Sequence, residues 1–202
     1  MNILILGDKY EKGMKSKGCQ ALIKYKGSRI IDYQIEYFQK NTKHNNIVYV
    51  SGFDSKALSS YLCKKKYDNL YVLYNPNYAT TNYGDSLSIA KKYLNDNCII
   101  TFGNTIFSHI NIKAIDHTKS CVFTAKQNDN KKNSLGCISD RGIITNIDFD
   151  LDNQIHNDIF HISKLDAQKI QTMMDNIEVK NNFIFELINK LIDNGSIFVP
   201  IK

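Results

Sequence analysis

Ile99-Ile100-Thr101-Phe102-Gly103-Asn104-Thr105-Ile106-Phe107 is the stretch on which the fold turns. Apolar, β-prone residues run without interruption toward a polar Asn104, which reads as a buried strand delivering a polar side chain at its carboxyl end. In an open α/β sheet that edge is where ligands and metals bind. A carboxylate there would hold a divalent cation. Asn104 offers only an amide oxygen, which brings no charge and is a far weaker magnesium ligand. The sequence thus joins an enzyme-like architecture to an altered position at its expected centre.

Outward from that strand the pattern alternates. Residues 2–6 are apolar and β-prone and lead into a loop holding Gly7, Gly13 and Gly18. Ile30, Ile31, Ile35 and Phe38 recur at helical spacing, so 28–40 reads as an amphipathic helix. A second buried strand covers 46–50, and a helix capped by Asp54 or Ser55 covers 55–65. A third strand at 70–74 is stopped by Asn75-Pro76; a helix at 85–94 and the strand at 98–102 follow. This βαβαβαβ order implies a mainly parallel sheet with helices on both faces. Downstream, short strands at 121–125, 136–139 and 143–147 are split by polar turns at 127–134 and 140–142, the pattern of an antiparallel edge hairpin. A strand at 158–162, helices at 164–174 and 181–192, the terminating Gly195 and a strand at 197–201 complete the chain. No linker or repeat divides it. The expectation is one three-layer α/β domain over 1–202. Its strand order should reverse near the first strand, and the loops after Leu6, Tyr74 and Phe102 should converge on one cleft.

Composition narrows the function classes. At 202 residues, with 43% hydrophobic and 23% charged residues, the chain suits one soluble domain with a proper core. No apolar run approaches the ~20 residues of a membrane span. The start, Met1-Asn2-Ile3-Leu4-Ile5-Leu6, reads as a first strand and not as a signal peptide. The five cysteines (Cys19, Cys63, Cys98, Cys121 and Cys137) are scattered and form no CxxC pair. That speaks against a disulfide framework or zinc site and for a reducing, cytoplasmic setting. Net charge is +6, with much of the excess in Lys9, Lys12, Lys15, Lys17, Lys24 and Lys26. Two readings stand: an ordinary solvated surface, or a basic mouth for a phosphate-bearing ligand. Nucleic acid is not expected, because one lysine-rich loop is no extended basic face.

Several segments, in order, resemble the sugar-phosphate and phosphocholine nucleotidyltransferases, which share the glycosyltransferase-A-type fold. Gln20-Ala21-Leu22-Ile23 with Lys26-Gly27-Ser28-Arg29-Ile30-Ile31-Asp32-Tyr33-Gln34-Ile35-Glu36 resembles the family's "PKALI…GKPIIDYQIE". Asn46-Ile47-Val48-Tyr49-Val50-Ser51-Gly52-Phe53 resembles "I.VVTGY", and Tyr74-Asn75-Pro76-Asn77-Tyr78 with Thr81-Asn82 and Asp85-Ser86-Leu87 resembles "NP.Y..TN..SL". The resemblance implies transfer of a nucleotidyl group from an NTP, CTP among them, to a phosphorylated small molecule, with pyrophosphate released and the product feeding surface glycan or lipid synthesis. It leaves the oligomeric state open, a homo-oligomer included.

The departures fall where the chemistry lives. Attack at an α-phosphorus builds negative charge, so the site needs cations and aligned donors. The family's "AAG.G.R" loop is here Gly7-Asp8-Lys9-Tyr10-Glu11-Lys12-Gly13. Its Pro-Lys falls on Cys19-Gln20, so Gln20 stands at the expected catalytic lysine, and Lys15 or Lys17 is left to supply a mobile point charge. The resemblance implies Mg2+ as cofactor at Asn104 and Glu186, a site the Asn104 amide weakens. Gly7, Asp8, Lys9, Thr81, Asn82 and Ser86 are the implied nucleotide-binding positions. Blander readings stand beside each: Asp8 as a turn residue, Gln20 as a solvated loop residue, Thr81 or Asp85 as a helix cap, and Glu186 as a solvent-facing or capping residue. Cys19 sits in a basic loop that would lower its pKa. Asp148-Phe149-Asp150 spells a glycosyltransferase metal motif but lies in a solvated turn position. Three functional readings follow: an enzyme with an altered site, a non-catalytic relative that binds a nucleotide or a partner protein, and a glycosyltransferase of related fold, against which the position of Asp148-Phe149-Asp150 speaks.

Overall fold

Both faces of the first strand are buried, and this sets the layers. Ile3 and Ile5 pack with Ile31, Ile35, Phe38 and Leu58 on one side, while Leu4 and Leu6 pack with Leu87 and Leu187 on the other. Successive side chains alternate faces, so a continuous apolar run is what a strand covered on both sides requires. The computed structural model describes the chain except residues 8, 10–12, 44, 108–109, 127–133, 152, 177–178, 180 and 202. Its elements are β1 (Asn2–Gly7), β2 (Lys24–Tyr25), β3 (Ser28–Arg29), α1 (Ile30–Asn41), β4 (Asn46–Ser51), α2 (Ser55–Lys65), β5 (Leu70–Tyr74), α3 (Tyr83–Ile89) and β6 (Cys98–Phe102). Then follow β7 (Ser120–Lys126), β8 (Leu135–Asp140), β9 (Ile143–Phe149), β10 (Asn153–Ile162), α4 (Lys164–Met173), α5 (Ile184–Asp193) and β11 (Phe198–Ile201).

The main sheet runs β11-β7-β10-β6-β1-β4-β5. β6, β1, β4 and β5 are parallel, β11 is parallel to β7, and β10 alone in the row runs against its neighbours. The chain leaves β1 toward β4 and β5, then returns to place β6 on β1's other side. The order therefore reverses beside β1, as expected, and opens a crevice at the carboxyl ends of β1 and β6. The β8–β9 hairpin hangs from the start of β10, which lies at the same carboxyl edge. Its turn, Arg141-Gly142, has φ of 48° and 80°, the paired left-handed conformations of a tight hairpin.

Two local expectations are corrected. The third helix begins earlier than 85, at Tyr83, and ends at Ile89, with a separate 3-10 turn at Lys91–Tyr93. Asp54 precedes α2 in a left-handed conformation (φ 54°) and makes no side-chain cap, while the Ser55 hydroxyl pairs with that of Ser51 at 2.9 Å.

Candidate functional site

The crevice floor is backbone. A Cβ on Gly7 would lie 1.8 Å from the Tyr49 Oη, and one on Gly103 would lie 2.5 Å from the same oxygen and 2.6 Å from the Gly7 Cα. Both glycines are buried, and the space a Cβ would take is filled by the Tyr49 hydroxyl, so β1 and β6 end close together over that ring. The Gly103 N–H donates to the Leu6 carbonyl at 3.0 Å. Asn104 follows, exposed, in the turn after β6. Helix α1 holds this turn from below: Gln34 Nε2 donates to the carbonyls of Phe102 and Thr105, both at 2.9 Å, and Tyr33 Oη donates to Phe107 at 2.6 Å.

The loop after β5 closes the other wall. Asn75 is buried and donates to the Ser86 hydroxyl at 3.2 Å, while its Oδ1 accepts from the Asn77 N–H at 2.8 Å. Thr81 Oγ1 donates to the Asn77 carbonyl at 2.9 Å. Lys9 Nζ donates to the Thr81 carbonyl and lies 5.5 Å from the centre of the Tyr83 ring, which in turn packs 4.4 Å from Phe102. The loops after β1, β5 and β6 thus meet. Asn82 stands at the N-cap of α3 with its Nδ2 donating to Asn181 O at 2.6 Å, and the Gly84 N–H donates to Asn182 O at 3.0 Å. The first turn of this seven-residue helix is therefore covered by the segment before α5, and Ser86 lies fully buried beneath it.

Of the remaining expected positions, Lys15 and Lys17 are exposed in and beside the Met14–Ser16 turn. Asp8 and Lys12 lie outside the described residues. Gln20 is buried in the turn Gln20–Leu22, not solvated. Cys19 corrects the expectation of a lowered pKa: it is buried, and burial pushes its thiol up despite hydrogen bonds from the Ala21 and Leu22 backbone. Glu186 accepts from the Phe183 N–H at 2.6 Å and from Asn182 Nδ2 at 3.1 Å, which commits it to the start of α5. Asp148, Phe149 and Asp150 are all exposed at the end of β9. A magnesium ion needs several oxygen donors, carboxylates among them. Among the described residues no three acidic, histidine or cysteine side chains come within reach of one ion; of the two expected ligands, Asn104 is uncharged and Glu186 is committed to its cap, so this pair does not fit Mg2+.

Sequence reasoning missed Tyr49 and Gln34. Gln34 was detectable as an amide on the apolar face of α1, four residues after Ile30. Tyr49 sits in an otherwise aliphatic strand, where nothing in the local pattern tells where its hydroxyl ends. A cavity of about 430 Å3 adjoins the site at the ends of β4 and β5, lined by Gly52, Asp54, Ser55, Lys56, Tyr74 and Tyr78.

No protein-family model matches the chain, and no curated protein matches it by sequence. Solved structures do match its fold. Against the CTP:phosphocholine cytidylyltransferase of Streptococcus pneumoniae the TM-score is 0.80 at 18% identity, covering 100% of this chain and 90% of that one. The inositol-1-phosphate CTP transferase of T. maritima matches with a TM-score of 0.77 at 14% identity, over 99% of this chain and 84% of that one. A putative glucose-1-phosphate thymidylyltransferase from Bacillus anthracis matches with a TM-score of 0.80 at 12% identity, over 100% and 87%. What such identities share is architecture, and this chain has the nucleotidyltransferase fold along its whole length.

Proposed function

We propose that the chain binds a nucleoside triphosphate in the crevice between β1 and β6 and acts on it as a nucleotidyltransferase. A phosphate oxygen of a phosphorylated small molecule, of the sugar phosphate or phosphocholine type, forms a bond to the α-phosphorus. The bond from that phosphorus to the α–β bridging oxygen breaks, and pyrophosphate leaves with the electron pair. The activated product serves surface-glycan assembly. The observation that carries this reading is the reversal of strand order beside β1, which brings the carboxyl ends of β1 and β6, at Gly7 and Gly103, to the edge where an open α/β sheet binds its ligands. Lys9, Lys15 and Lys17 offset the triphosphate charge, Thr81 and Asn82 border the nucleotide, and Gln20 holds the turn under the lysines.

A second reading is favoured by Asn104 together with the committed cap of Glu186: a relative that binds a nucleotide or a protein partner and does not turn over. One experiment separates the two. Thermal unfolding is followed with CTP, UTP, GTP, ATP and dTTP, each with and without magnesium, and pyrophosphate release is followed with phosphocholine and sugar 1-phosphates. Stabilisation by one NTP with pyrophosphate release supports the enzyme. Stabilisation without release for any acceptor supports the binding module, and no stabilisation by any nucleotide contradicts both nucleotide readings.

A further inference from the structure

We infer that Tyr49 is the positioning residue of the crevice floor, holding from beneath the two glycine peptides that meet the nucleotide's phosphates; this rests on the nucleotide reading above. Tyr49 pairs with Ile5 of β1, and Ile5 pairs with Thr101 of β6. Gly7 and Gly103 each stand two residues further toward the carboxyl edge. In a strand, residues two apart share a face. The tyrosine ring therefore runs along the sheet on the α1 side and ends under both glycines, its hydroxyl donating to the Gly7 carbonyl at 3.4 Å. The Cys19 thiol lies within hydrogen-bonding reach of the same hydroxyl, which links the floor to the turn that follows the lysines. One side chain thus touches the end of β1, the end of β6 and the start of the Gln20–Leu22 turn.

The fit is too close to be filler. Tyr49 is fully buried, and its Oη occupies the volume that a Cβ on either glycine would need. An aliphatic residue would satisfy the core equally well and leave the floor peptides free to settle toward the helix. Buried polar groups lie together beneath the turn at Gly103 and Asn104. Gln34 grips the carbonyls on both sides of Gly103 and Asn104, while its Oε1 and the Thr101 Oγ1 are buried without a partner among the described residues. Buried polar atoms lacking partners reduce stability. Their concentration under a ligand crevice is what preorganisation of that crevice requires.

The test compares Tyr49→Phe with the parent, and with Tyr67→Phe, which removes a hydroxyl bonded to Asp32 at 2.9 Å between α1 and α2. Each is measured by thermal unfolding, by CTP titration with and without magnesium, and by amide hydrogen exchange at Gly103 in ligand-free protein. We expect Tyr49→Phe to stay folded, to weaken CTP binding about tenfold, the ratio corresponding to one misplaced hydrogen bond, and to exchange faster at Gly103. Tyr67→Phe should lose comparable stability and bind CTP as the parent does. CTP affinity in Tyr49→Phe equal to that of the parent overturns the inference. If the parent itself binds no nucleotide, the functional reading fails instead. Exchange at Gly103 then decides alone whether Tyr49 holds the floor: a rate unchanged by Tyr49→Phe overturns it.

Discussion

The two edges of the sheet differ in what they leave for a ligand. At the amino edge polar groups are spent on one another. Asn2 donates to the Tyr93 carbonyl at 2.8 Å and accepts from Asn46 at 2.9 Å, and the chain amino group pairs with Asp96 at 2.8 Å. Asp166 accepts from the hydroxyls of Ser120, Ser163 and Ser196 at 2.5, 3.0 and 2.7 Å. Burial would raise its carboxyl pKa, but the three serines and Lys169 together hold it below the ordinary range. A cavity of about 600 Å3 opens beside this network, larger than the one near the crevice, and Ser120, Ser163, Ser196 and Asp166 in its lining are already engaged with one another. At the carboxyl edge Asn75, Thr81 and Asn82 are paired likewise, but Lys15, Lys17 and Asn104 are exposed. Uncommitted donors and charge mark the ligand edge better than cavity size does.

The largest effect expected from this contrast comes from exchanging glycines. Gly7→Ala should cost ~4 kcal/mol in a denaturant titration, because its Cβ would fall 1.8 Å from the Tyr49 Oη. Gly195→Ala, in open space at φ 82°, should cost only ~1 kcal/mol for its left-handed backbone. In a Tyr49→Val background the Gly7→Ala penalty should shrink. Equal penalties in both backgrounds would place the strain elsewhere.

Next in size is the pH response of the amino edge. His161 is fully buried, its Nδ1 donates to the Lys119 carbonyl at 2.9 Å, and its Nε2 faces His117 at 3.5 Å. Burial lowers its pKa from 6.5 to about 4. Between those values the unfolded chain binds the more protons, so this contribution is complete above pH 6.5 and is lost as pH falls toward 4, by ~3 kcal/mol. Urea unfolding between pH 4 and 7 should show that slope, and His161→Gln should remove it. A slope retained in the variant would assign the proton to another group.

Smaller still is the cap on α5. Glu186→Ala should cost ~1 kcal/mol, the value of a helix-start hydrogen bond. Any magnesium dependence of nucleotide binding should stay as it was. A loss of that dependence would show that Glu186 leaves its cap to serve a metal. The smallest effect on stability, under ~0.5 kcal/mol, belongs to the combined Lys15→Ala and Lys17→Ala variant, since both side chains are exposed. Its nucleotide binding should fall markedly and lose salt sensitivity, because exposed charges are screened over ~10 Å at 0.1 M salt. Binding that matches the parent at every salt concentration would reduce these lysines to solvated surface.

Most of the fold was legible because it is written in local patterns. The continuous runs at β1, β4 and β6 can only be strands buried on both faces, and Arg141-Gly142 and Gly195 punctuate the chain where left-handed backbone is needed. The start of helix α3 is not legible locally because it depends on Asn181 and Asn182, distant in sequence, covering residues 82–84. The site was legible only as an edge. That Gly7 and Asn104 share it follows from strand order. Three other facts arise from packing between segments far apart in the chain and leave no periodic trace: Gln20 and Cys19 turn inward, Lys9 reaches Thr81, and Tyr49 fills the space under two glycines.

The most direct test of a nucleotide crevice at the carboxyl edge is a residue-resolved amide NMR titration of the full chain with CTP, with and without magnesium. Shifts should concentrate at Gly7, Gly103, Asn104 and Thr81 and leave Ser120, Ser163 and Ser196 unmoved. Shifts centred on those serines, or none at saturating nucleotide, would contradict the account.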